Sequence, residues 1–455
     1  MLLKTLHLTN SWHETSGGIA TFYRALLDEA NQRGHQMRLA VPGQNDCTED
    51  VGKFGKIYYL QSPRARLNSS YRIIYPSQFL RSRSKLRRIV AFERPELVEV
   101  CDKYTLNYFA ALLRKQLLPA LNYRPIVVGL SCERMDDNFR SYIGEIPLIL
   151  KTFCSLYMKW LYFPFFDHHI ANSDYTAEEL RTAAQGHLVP RGTWVRPMGI
   201  DLGQLSPNRR SLEIRKHLLR QCGGSDDSVL LLYAGRLVPE KNLPLLFELL
   251  RRLSQEQTHD FRLVVAGDGI DRERWEKQCN EWTPGRASFL GHVKDRNALA
   301  DLYANADVFI HPNPHEPFGI GPLEAMASGL PLVGPNDGGV TSFANARNAW
   351  TVDATVESFA AAVKDVAENE PLRNQKTALA LETAQQYCWK KVAASFLDLY
   401  SALCRPAEPR HDVAPAPAFY STPAARWQAI AFRGVSMAAE RLFTAASAFG
   451  SGTSP

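Results

Sequence analysis

Two glutamates eight positions apart, Glu316 and Glu324, flank a Phe-Gly-Ile-Gly-Pro segment within residues 313–335, NPHEPFGIGPLEAMASGLPLVGP. Gly319 allows backbone conformations that other residues rarely adopt, and Pro322 suits the first position of a helix. The stretch therefore predicts a strand end, a glycine turn and a helix of about two turns. The free N–H groups at such a helix start bind anions, typically phosphate. Carboxylates would repel phosphate, so we expect the glutamates to bind hydroxyls, and a sugar nucleotide carries both groups.

A second segment, YAGRLVPEKN (233–242), follows a predicted strand and contains two cations, Arg236 and Lys241. Two fixed cations at the rim of a cleft suit a diphosphate leaving group, whose negative charge grows as its bond to a sugar breaks. Taken alone, the segment is equally compatible with an ordinary turn. The function of these residues therefore depends on the elements that position them.

The N-terminal half begins as a βαβ unit with Gly17 and Gly18 at the junction between loop and helix. Further strands are expected at 95–100, 125–131 and 168–173. A second alternating series starts near residue 228 and contains the segments described above. Short apolar strands that alternate with helices predict parallel sheets covered on both faces. We therefore expect an α/β protein with two doubly wound domains, whose ligands bind beyond the carboxyl ends of the strands.

Several motifs together resemble the retaining glycosyltransferases of family 4, which have the two-domain GT-B fold. They are Gly17-Gly18, GRLVPEKN, AGDG and EPFGIGPLEAMASGLPLV, and they match in order and spacing over roughly residues 1–403. SDYTAEEL (173–180), PMGID (197–201) and YCWKKVAASFLDLY (387–400) also fit the family pattern. The resemblance implies two Rossmann-like domains that face each other across a cleft. The predicted segments are an N-terminal acceptor-side domain (1–196), an interdomain linker (197–227), a C-terminal nucleotide-sugar domain (228–385), a helix that crosses back to the N-terminal domain (386–404), and a Pro/Ala-rich linker with a partly amphipathic helix (405–455).

The resemblance also implies roles for individual residues. Arg236 and Lys241 would grip the donor diphosphate, and Glu316 would hydrogen-bond the hydroxyls of the donor sugar. Glu324 would bind the ribose. The remaining donor contacts would come from the loop glycines Gly17 and Gly18, from the backbone of Phe318, Gly319 and Ile320 at the diphosphate, and from the backbone of Val293 at the nucleobase. The family usually needs no metal, and the chain has no Asp-x-Asp motif, so neither a metal nor another cofactor is expected.

One position departs from the family pattern. Many relatives carry a histidine at the end of the strand that faces the donor sugar, and in VVGLSCERMDDN (127–138) Cys132 occupies that place. A thiol cannot replace imidazole as a proton shuttle near neutral pH. The mechanism favoured for the family is same-face substitution, in which the donor phosphate helps to take the acceptor proton. We therefore expect slower turnover, a different acceptor geometry, or help from Glu133.

Composition limits the class of protein further. At 455 residues the chain predicts two or three domains, and its eight scattered cysteines show no CxxC pair. This pattern favours a reducing cytoplasm over a disulfide or zinc scaffold, and the N-terminal apolar run is too short for a signal peptide. The most apolar region, 147–166, is interrupted by Lys151, Lys159 and Pro164, so we expect a buried helix there instead of a membrane span.

Positive charge is concentrated in the N-terminal half. Residues 1–205 hold 26 lysines and arginines against 19 aspartates and glutamates, and the segment 63–94 has nine basic residues and one acid. Four apolar residues of that segment can share one helical face: Phe79, Leu86, Ile89 and Val90. We expect an interfacial helix on anionic lipid through residues 64–94. We expect no nucleic-acid partner, because the basic run lacks interleaved aromatic residues for stacking on bases.

The sequence thus predicts a retaining, metal-independent hexosyltransferase that uses GDP-mannose or a UDP-sugar and a lipid-linked or glycan acceptor. We expect it in the cytoplasm, peripheral to the inner face of the membrane. Two alternatives remain open from the sequence. One is a catalytically weakened or non-catalytic protein of the same fold that binds sugar nucleotides or glycans, and the other is an isomerase or epimerase on that fold.

Overall fold

The structure is a computed structural model that describes residues 3–12, 18–65, 71–81, 83–118, 121–143, 147–186 and 192–405. Every structural statement below concerns these residues. The predicted Pro/Ala-rich linker and helix, apart from residue 405, lie outside them, and so does Gly17. No helix within the described ranges is both long enough and apolar enough to cross a bilayer.

The N-terminal half of the described chain folds around an eight-stranded sheet. Its strands are β1 (Lys4–Thr9), β2 (Gln36–Gly43), β3 (Cys47–Val51), β4 (Gly55–Gln61), β5 (Leu97–Cys101), β6 (Ile126–Ser131), β7 (His168–Ala171) and β8 (Thr193–Val195). The helices that cover it are α1 (Gly18–Arg33), α2 (Pro76–Leu80), α3 (Lys85–Glu93), α4 (Asn107–Arg114), α5 (Met135–Ile143), α6 (Leu148–Tyr157) and α7 (Asp174–Ala184). The strand order is β3-β4-β2-β1-β5-β6-β7-β8, and only the β3–β4 pair is antiparallel.

The C-terminal half contains a six-stranded parallel sheet in the order β11-β10-β9-β12-β13-β14. These strands are β9 (Val229–Ala234), β10 (Phe261–Ala266), β11 (Ala287–Gly291), β12 (Val308–Ile310), β13 (Leu332–Pro335) and β14 (Trp350–Val352). Eight helices accompany them in the described residues: α8 (Leu212–Gln221), α9 (Leu243–Leu253), α10 (Arg272–Trp282), α11 (Arg296–Asn305), α12 (Ile320–Ala327), α13 (Val356–Glu368), α14 (Glu370–Ala384) and α15 (Trp389–Cys404).

Both sheets reverse their strand order at one point, between β1 and β5 in the first sheet and between β9 and β12 in the second. Short, almost fully buried runs such as β9 are typical of parallel strands with helices on both faces. In doubly wound folds a ligand binds outside the carboxyl ends of the strands at this reversal. The predicted α/β, doubly wound fold is confirmed, and the reversal in the second sheet is where the candidate site must lie.

The last described helix, α15, packs against α1 of the N-terminal half. The rings of Phe22 and Phe396 lie 4.8 Å apart, and the Tyr400 hydroxyl donates to Glu99 in the core of the first sheet. Glu99 also accepts a hydrogen bond from the Tyr23 hydroxyl at 2.9 Å. Because the buried carboxylate needs these donors, α15 ties the end of the second domain to the first.

Four local expectations were wrong. The hairpin β3–β4 adds an antiparallel edge that was not predicted, and α12 begins at Ile320, so Pro322 occupies its third position. The four apolar residues expected to face lipid, Phe79, Leu86, Ile89 and Val90, are buried in the N-terminal core. An apolar helical face can pack either on lipid or on a protein core. Here these residues pack in the N-terminal core.

The fourth correction concerns residues 147–166, where a buried helix was expected. Only one side of α6 is buried: Cys154 and Tyr157 contact the core, whereas Leu148 and Ile149 are 80% and 86% exposed. A helix on the outside of a two-sided α/β layer has one face against the sheet and one against its surroundings. Here both faces are apolar, so the overall hydrophobicity of the segment did not show which face would be buried.

Candidate active site

The candidate site lies at the carboxyl ends of β9 and β12, the two strands at the reversal of the second sheet. Arg236 follows β9, and the loop that carries Glu316 follows β12. Lys241 ends a short 3-10 turn, Pro239–Lys241, immediately before α9. The α5 helix of the N-terminal domain contacts that turn from across the cleft. Parallel strand topology therefore brings the two predicted cations and the first predicted acid to one edge of the sheet.

Glu316 and Lys241 form an ion pair at the centre of this edge. The Lys241 ammonium donates to Glu316 Oε2 at 2.7 Å, and the Asn313 amide donates to the same oxygen at 3.3 Å. Burial alone would raise the pKa of Glu316, but the charge and hydrogen bond of Lys241 lower it to about 2. Glu316 is therefore an anion at neutral pH, able to accept hydrogen bonds from hydroxyl groups.

His311, one residue beyond β12, is a member of this cluster that the sequence analysis missed. Its Nε2 atom is buried and has no hydrogen-bond partner among the described residues. Burial lowers the pKa of His311 to about 4, although the nearby Glu316 carboxylate opposes the shift. The imidazole is thus neutral at pH 7, with an unmet polar atom beside Glu316 and Lys241. Its position directly after a buried strand was the available signal.

Arg236 does not join that ion pair. Its side chain is 60% exposed and pairs with Glu240 one turn later in the chain. An exposed guanidinium at the cleft rim with one local partner can reorient toward a diphosphate, because surface ion pairs contribute little free energy. The structure therefore places Arg236 at the predicted edge of the sheet without bringing it into contact with Glu316.

Gly319 introduces α12 with a left-handed backbone, φ +100° and ψ +67°. This conformation lets the chain turn so that the first N–H groups of α12 are presented at the end of β12. Phe318 is buried, and its ring lies 5.3 Å from that of Phe343. The side chain of Phe318 thus anchors the turn, and the predicted role of its backbone at the diphosphate stays a prediction.

Gly18, at the start of α1, reaches this turn from the N-terminal domain. A Cβ atom built at Gly18 would lie 2.9 Å from the Ile320 Cδ1 atom of α12. The predicted loop glycine and the predicted helix start are therefore in direct contact range across the cleft. Any side chain at Gly18 would narrow or open the space between the domains.

Glu324, in the second turn of α12, lies in a different environment from Glu316. It is almost fully buried and accepts hydrogen bonds from the Tyr303 hydroxyl at 3.1 Å and from Arg296 at 3.4 Å. Burial raises its pKa, with Arg296 and Tyr303 acting in the opposite direction. The carboxyl group opens onto a small pocket whose other lining residues include Asp201, Gln204, Leu205, Leu299 and Ala300.

Val293 lies two residues beyond β11 and is half-buried against the core. The next strand over, β10, precedes the AGDG segment, which approaches the GRLVPEKN segment closely: the Leu237 N–H donates to the Asp268 carbonyl at 2.9 Å. Val293 thus belongs to the same end of the sheet as the cations, on the side of β10 and β11. Its predicted role at the nucleobase stays a prediction.

Cys132 lies directly after β6, on the N-terminal side of the cleft, and is half-buried. Its thiol hydrogen-bonds with the buried Cys101 thiol at the end of the neighbouring strand, and this contact, with burial, raises the pKa of Cys101. Burial also raises the pKa of the adjacent Glu133, which the Lys103 charge and an Asn138 hydrogen bond partly offset. Glu133 thus holds a carboxyl group of enhanced basicity next to the cysteine.

A set of polar contacts joins the N-terminal domain to the loop that carries Glu316. The Ser173 hydroxyl donates to the Pro317 carbonyl at 2.6 Å, and the Tyr175 hydroxyl lies 3.2 Å from His315 Nδ1. The Tyr175 hydroxyl also donates to Asp137 of α5 at 2.5 Å. Burial and the neighbouring Asp136 raise the pKa of Asp137 to about 6, against the hydrogen bond from Tyr175. We call Ser173, Tyr175, Asp137 and His315 the interdomain contact.

Two protein-family models match the chain. The model described as Glycosyltransferase Family 4 matches residues 16–204, and the model described as Glycosyl transferases group 1 matches residues 216–380. Each model corresponds to one of the two sheet domains, and together they include all the candidate site residues described above. The candidate site therefore lies within regions that match glycosyltransferase models.

Relatives with assigned activities extend over nearly the whole described chain. A GDP-mannose-dependent alpha-(1-6)-phosphatidylinositol dimannoside mannosyltransferase of Mycobacterium tuberculosis is 27% identical over 403 residues, which cover 88% of this chain and 97% of the relative. A GDP-mannose-dependent alpha-mannosyltransferase of Corynebacterium glutamicum is 25% identical, covering 84% and 85% of the two chains. Sucrose-phosphate synthase of Thermosynechococcus elongatus has a similar structure, with a TM-score of 0.68, 18% identity, and coverage of 88% and 99%.

Proposed function

The chain is a glycosyltransferase of the GT-B fold, with a family 4 N-terminal domain and a group 1 C-terminal domain, and on that premise we propose a specific reaction. The enzyme transfers mannose from GDP-mannose to a hydroxyl group of a lipid-linked acceptor and retains the configuration at the sugar C1. The observation that carries the proposal is the anionic Glu316, held by Lys241 beside the start of α12.

The choice of donor is supported by the relatives. The two mannosyltransferases described above both carry GDP-mannose in their names and span most of the chain. One of them acts on a phosphatidylinositol dimannoside, which is a lipid-linked acceptor. The excess of basic residues in the N-terminal half fits an acceptor embedded in an anionic membrane. A peripheral location at the cytoplasmic face is part of this proposal, and the eight unpaired cysteines fit that compartment.

Different site residues bind different parts of the donor. Lys241 and Arg236 neutralise the diphosphate, and the backbone N–H groups of Gly319 and Ile320 add hydrogen bonds at the helix start. Glu316 accepts hydrogen bonds from mannose hydroxyls, and Glu324 accepts from the ribose. Val293 contributes backbone contacts to the guanine. When the diphosphate takes over the Lys241 charge, both Glu316 oxygens become available to the sugar.

The proposed reaction is a same-face substitution. The bond between mannose C1 and the β-phosphate oxygen breaks, and the acceptor oxygen forms its bond to C1 on the same face. The acceptor proton passes to the departing phosphate oxygen, so GDP leaves as the protonated product and charge is balanced. Arg236 and Lys241 stabilise the charge that develops on the diphosphate. Cys132 and Glu133 line the acceptor side, where Glu133 can take part in orienting the acceptor hydroxyl.

No divalent cation has a role in this proposal, because two side-chain cations and a helix start provide the positive charge at the diphosphate. We expect activity to persist after treatment with EDTA and not to increase with added Mg²⁺ or Mn²⁺. A loss of more than about tenfold on chelation, restored by a metal, would contradict this part of the proposal.

A donor screen tests the main proposal. Purified enzyme is incubated with GDP-mannose, GDP-glucose, UDP-glucose or UDP-galactose, with and without phosphatidylinositol mannosides, and nucleotide release is measured together with product NMR. We expect GDP release and an α-mannoside from GDP-mannose. Consumption of UDP-sugars alone would refute GDP-mannose as the donor. A β-linked product would refute retention of configuration at C1. Tight donor binding with neither hydrolysis nor transfer would support the non-catalytic alternative.

A further inference from the structure

The outer face of α6 is the most apolar exposed surface of the described chain. Eleven large hydrophobic side chains are exposed in the described residues, and five of them lie between 148 and 160: Leu148, Ile149, Phe153, Leu156 and Trp160. We call these five residues the α6 surface. Such a concentration is unusual on a protein surface, where exposed apolar residues are normally scattered.

Helical geometry places four of these five residues on one stripe along the helix. Ile149, Phe153, Leu156 and Trp160 follow the spacing i, i+4, i+7 and i+11, and Trp160 lies in the π-helical turn Met158–Tyr162 that continues α6. The opposite side of the helix, with Cys154 and Tyr157, is buried in the N-terminal core. The stripe is therefore not required for packing against the sheet.

Positive charge borders the α6 surface, and acidic residues are absent from the segment. Residues 147–166 contain Lys151 and Lys159 and no aspartate or glutamate. The Lys159 ammonium lies 5.6 Å from the centre of the Trp160 ring, whereas Lys151 lines a cavity with Asp136, Glu178 and Glu179 on another side of the helix. Long lysine side chains can cover apolar surface while the ammonium groups remain in a polar layer.

The basic helix α3 packs on the same hydrophobic cluster as α6. Leu86 of α3 and Tyr157 of α6 both belong to that cluster. The outer side of α3 presents Arg88 and, one turn later, Phe92, which is 81% exposed. The two helices thus add basic and apolar groups to a single layer of the N-terminal domain.

We propose that the α6 surface inserts into the interfacial region of an anionic lipid bilayer, with Lys159 and the basic residues of α3 in contact with the headgroups. A tryptophan beside a lysine suits the boundary between headgroups and acyl chains. The charge pattern is complementary to anionic lipid, whereas a second copy of this chain would bring equal positive charges together. Insertion through α6 replaces the expected insertion through the apolar residues of 76–94, which are buried.

Docking at α6 would also place the membrane next to the cleft. The α5 helix directly precedes α6 in the chain and contacts the Pro239–Lys241 turn of the site. A lipid-linked acceptor held in the bilayer would therefore meet the cleft along α5. This consequence rests on the proposed function, but lipid binding by the α6 surface does not.

A vesicle-binding experiment tests the proposal. The variant Ile149→Glu/Phe153→Glu/Trp160→Glu is compared with wild type in flotation assays on vesicles of equal phosphatidylglycerol and phosphatidylcholine. The matched control is Leu212→Glu/Ile270→Glu, which changes two residues that are 75% and 83% exposed in the C-terminal half. We expect the triple variant to lose about tenfold or more in vesicle affinity and the control to lose little. Equal binding by wild type and triple variant overturns the proposal.

Two further measurements separate the outcomes. Brominated lipids should quench less of the fluorescence of Trp160→Phe than of wild type, and this variant keeps an aromatic ring at a position that is 59% exposed. Equal fractional quenching would place Trp160 outside the bilayer and overturn the proposal. Sedimentation velocity without lipid tests the second-copy alternative: a dimer that only the triple variant loses, with no vesicle binding, overturns lipid as the occupant.

The assay also keeps this inference distinct from the proposed function. Hydrolysis of GDP-mannose in solution, or transfer to a water-soluble acceptor, should be the same within about twofold for the triple variant and wild type, because the three side chains are exposed and none is among the site residues. Transfer to a vesicle-bound acceptor should fall with vesicle affinity. An enzyme that binds vesicles through α6 but transfers no mannose refutes the proposed function alone.

Discussion

Lys241 sets the charge of Glu316 before any donor is bound. Its ammonium, 2.7 Å from the carboxylate, lowers the pKa of Glu316 to about 2 despite burial. Glu324, eight residues later, has a raised pKa because burial outweighs its contacts with Arg296 and Tyr303. Two carboxyl groups of one motif therefore differ in acid strength because only the first has a close, half-buried lysine. This difference fits the proposed roles, in which Glu316 binds the sugar as an anion and Glu324, the weaker acid, binds the ribose.

The first prediction concerns Glu316→Gln. The amide keeps the shape of the side chain but removes the anion that pairs with Lys241, so we expect kcat to fall by about 10²–10³, as for other lost transition-state interactions. The measurement is steady-state GDP release from GDP-mannose. Glu248→Gln, on the exposed side of α9, is the control and should retain full activity. A Glu316→Gln enzyme with more than about half of wild-type kcat would refute the assigned role.

The same variant gives a pH prediction. The pKa of Glu316 is about 2 in the folded protein and roughly 4.3 when unfolded, so the folded state favours the carboxylate. Its stabilising contribution is therefore present above about pH 4.3 and is lost as the pH falls toward 2. Denaturant unfolding should show wild type more stable than Glu316→Gln by about 2 kcal/mol at pH 7, with the gap closing below about pH 4. A gap that widens on acidification would contradict the ion pair.

Another prediction addresses Cys132, where the resemblance to family 4 leads us to expect histidine. If the thiol limits turnover because it cannot share the acceptor proton near neutral pH, Cys132→His should raise kcat by about tenfold. Cys47→His, at an exposed cysteine of β3, is the matched control. Unchanged or lower turnover in the Cys132→His enzyme would instead indicate that the Cys101–Cys132 contact and Glu133 form an acceptor side adapted to the thiol.

At the scale of elements, the start of α12 depends on one backbone conformation. Gly319 has φ +100°, whereas Gly321 lies inside the helix with a β-carbon position that has room. Alanine at 319 would force an L-residue into a left-handed conformation at a cost of about 1–2 kcal/mol. We expect Gly319→Ala to lower both the Tm and the affinity for GDP, measured by calorimetry.

Gly321→Ala tests the reason for that loss within the same helix. Its Cβ would lie at ordinary contact distance, 3.4 Å from the Ala234 carbonyl, and alanine favours helix over glycine by up to about 1 kcal/mol. We therefore expect Gly321→Ala to be as stable as wild type or more so. Equal destabilisation by the two substitutions would show that crowding, and not backbone conformation, governs the turn.

The elements of the site were predictable from sequence because their signals are local. A glycine before a short helix, cations after a strand, and apolar runs of strand length predict the parts around Gly319 and Lys241 correctly. His311 and Asn313 were missed, because their importance comes from proximity to Glu316 and Lys241, which only folding creates. Pro322 was expected at the first position of α12 but occupies the third. Proline is tolerated throughout the first turn of a helix, so it does not mark the first residue.

Orientation of whole helices was not predictable in the same way. Periodicity shows that a helix has an apolar face but does not say what covers that face. Phe79 and Leu86 form such a face and are buried by the sheet, whereas Ile149 and Phe153 form another that remains exposed. The difference is set by neighbouring strands and helices distant in the chain. The apolar residues predicted to contact the membrane are buried, and in our proposal the α6 surface takes their place.

At the scale of the whole molecule, two kinds of contact between the halves of the described chain differ in character. The α15 helix reaches the core of the first sheet through Tyr400 and Glu99. The interdomain contact joins α5 and α7 to the loop of Glu316 at the cleft itself. The first connection has the buried aromatic packing of a permanent joint. The second is made of a few hydrogen bonds, which suits a contact that forms and breaks as donor enters.

The last prediction tests that assignment with Tyr175→Phe. The variant removes the hydroxyl that contacts Asp137 at 2.5 Å and His315 at 3.2 Å but keeps the ring, over which Arg134 lies at 4.6 Å. Asp137 belongs to the same domain as Tyr175, so only the contact with His315 crosses the cleft. Losing that hydrogen bond costs about 1 kcal/mol, which should weaken the closed cleft.

We therefore expect the KM for GDP-mannose to rise about three- to tenfold, with the Tm nearly unchanged, because the hydroxyl contributes about 1 kcal/mol to closure and little to either core. Tyr123→Phe removes a hydroxyl that donates to the Val90 carbonyl at 3.0 Å within the N-terminal domain, and should leave the KM unaltered. Small-angle scattering with GDP should show a smaller fraction of compact molecules for Tyr175→Phe than for this control. If both variants close equally and share the wild-type KM, the interdomain contact does not govern closure, and α15 alone holds the domains in their relative position.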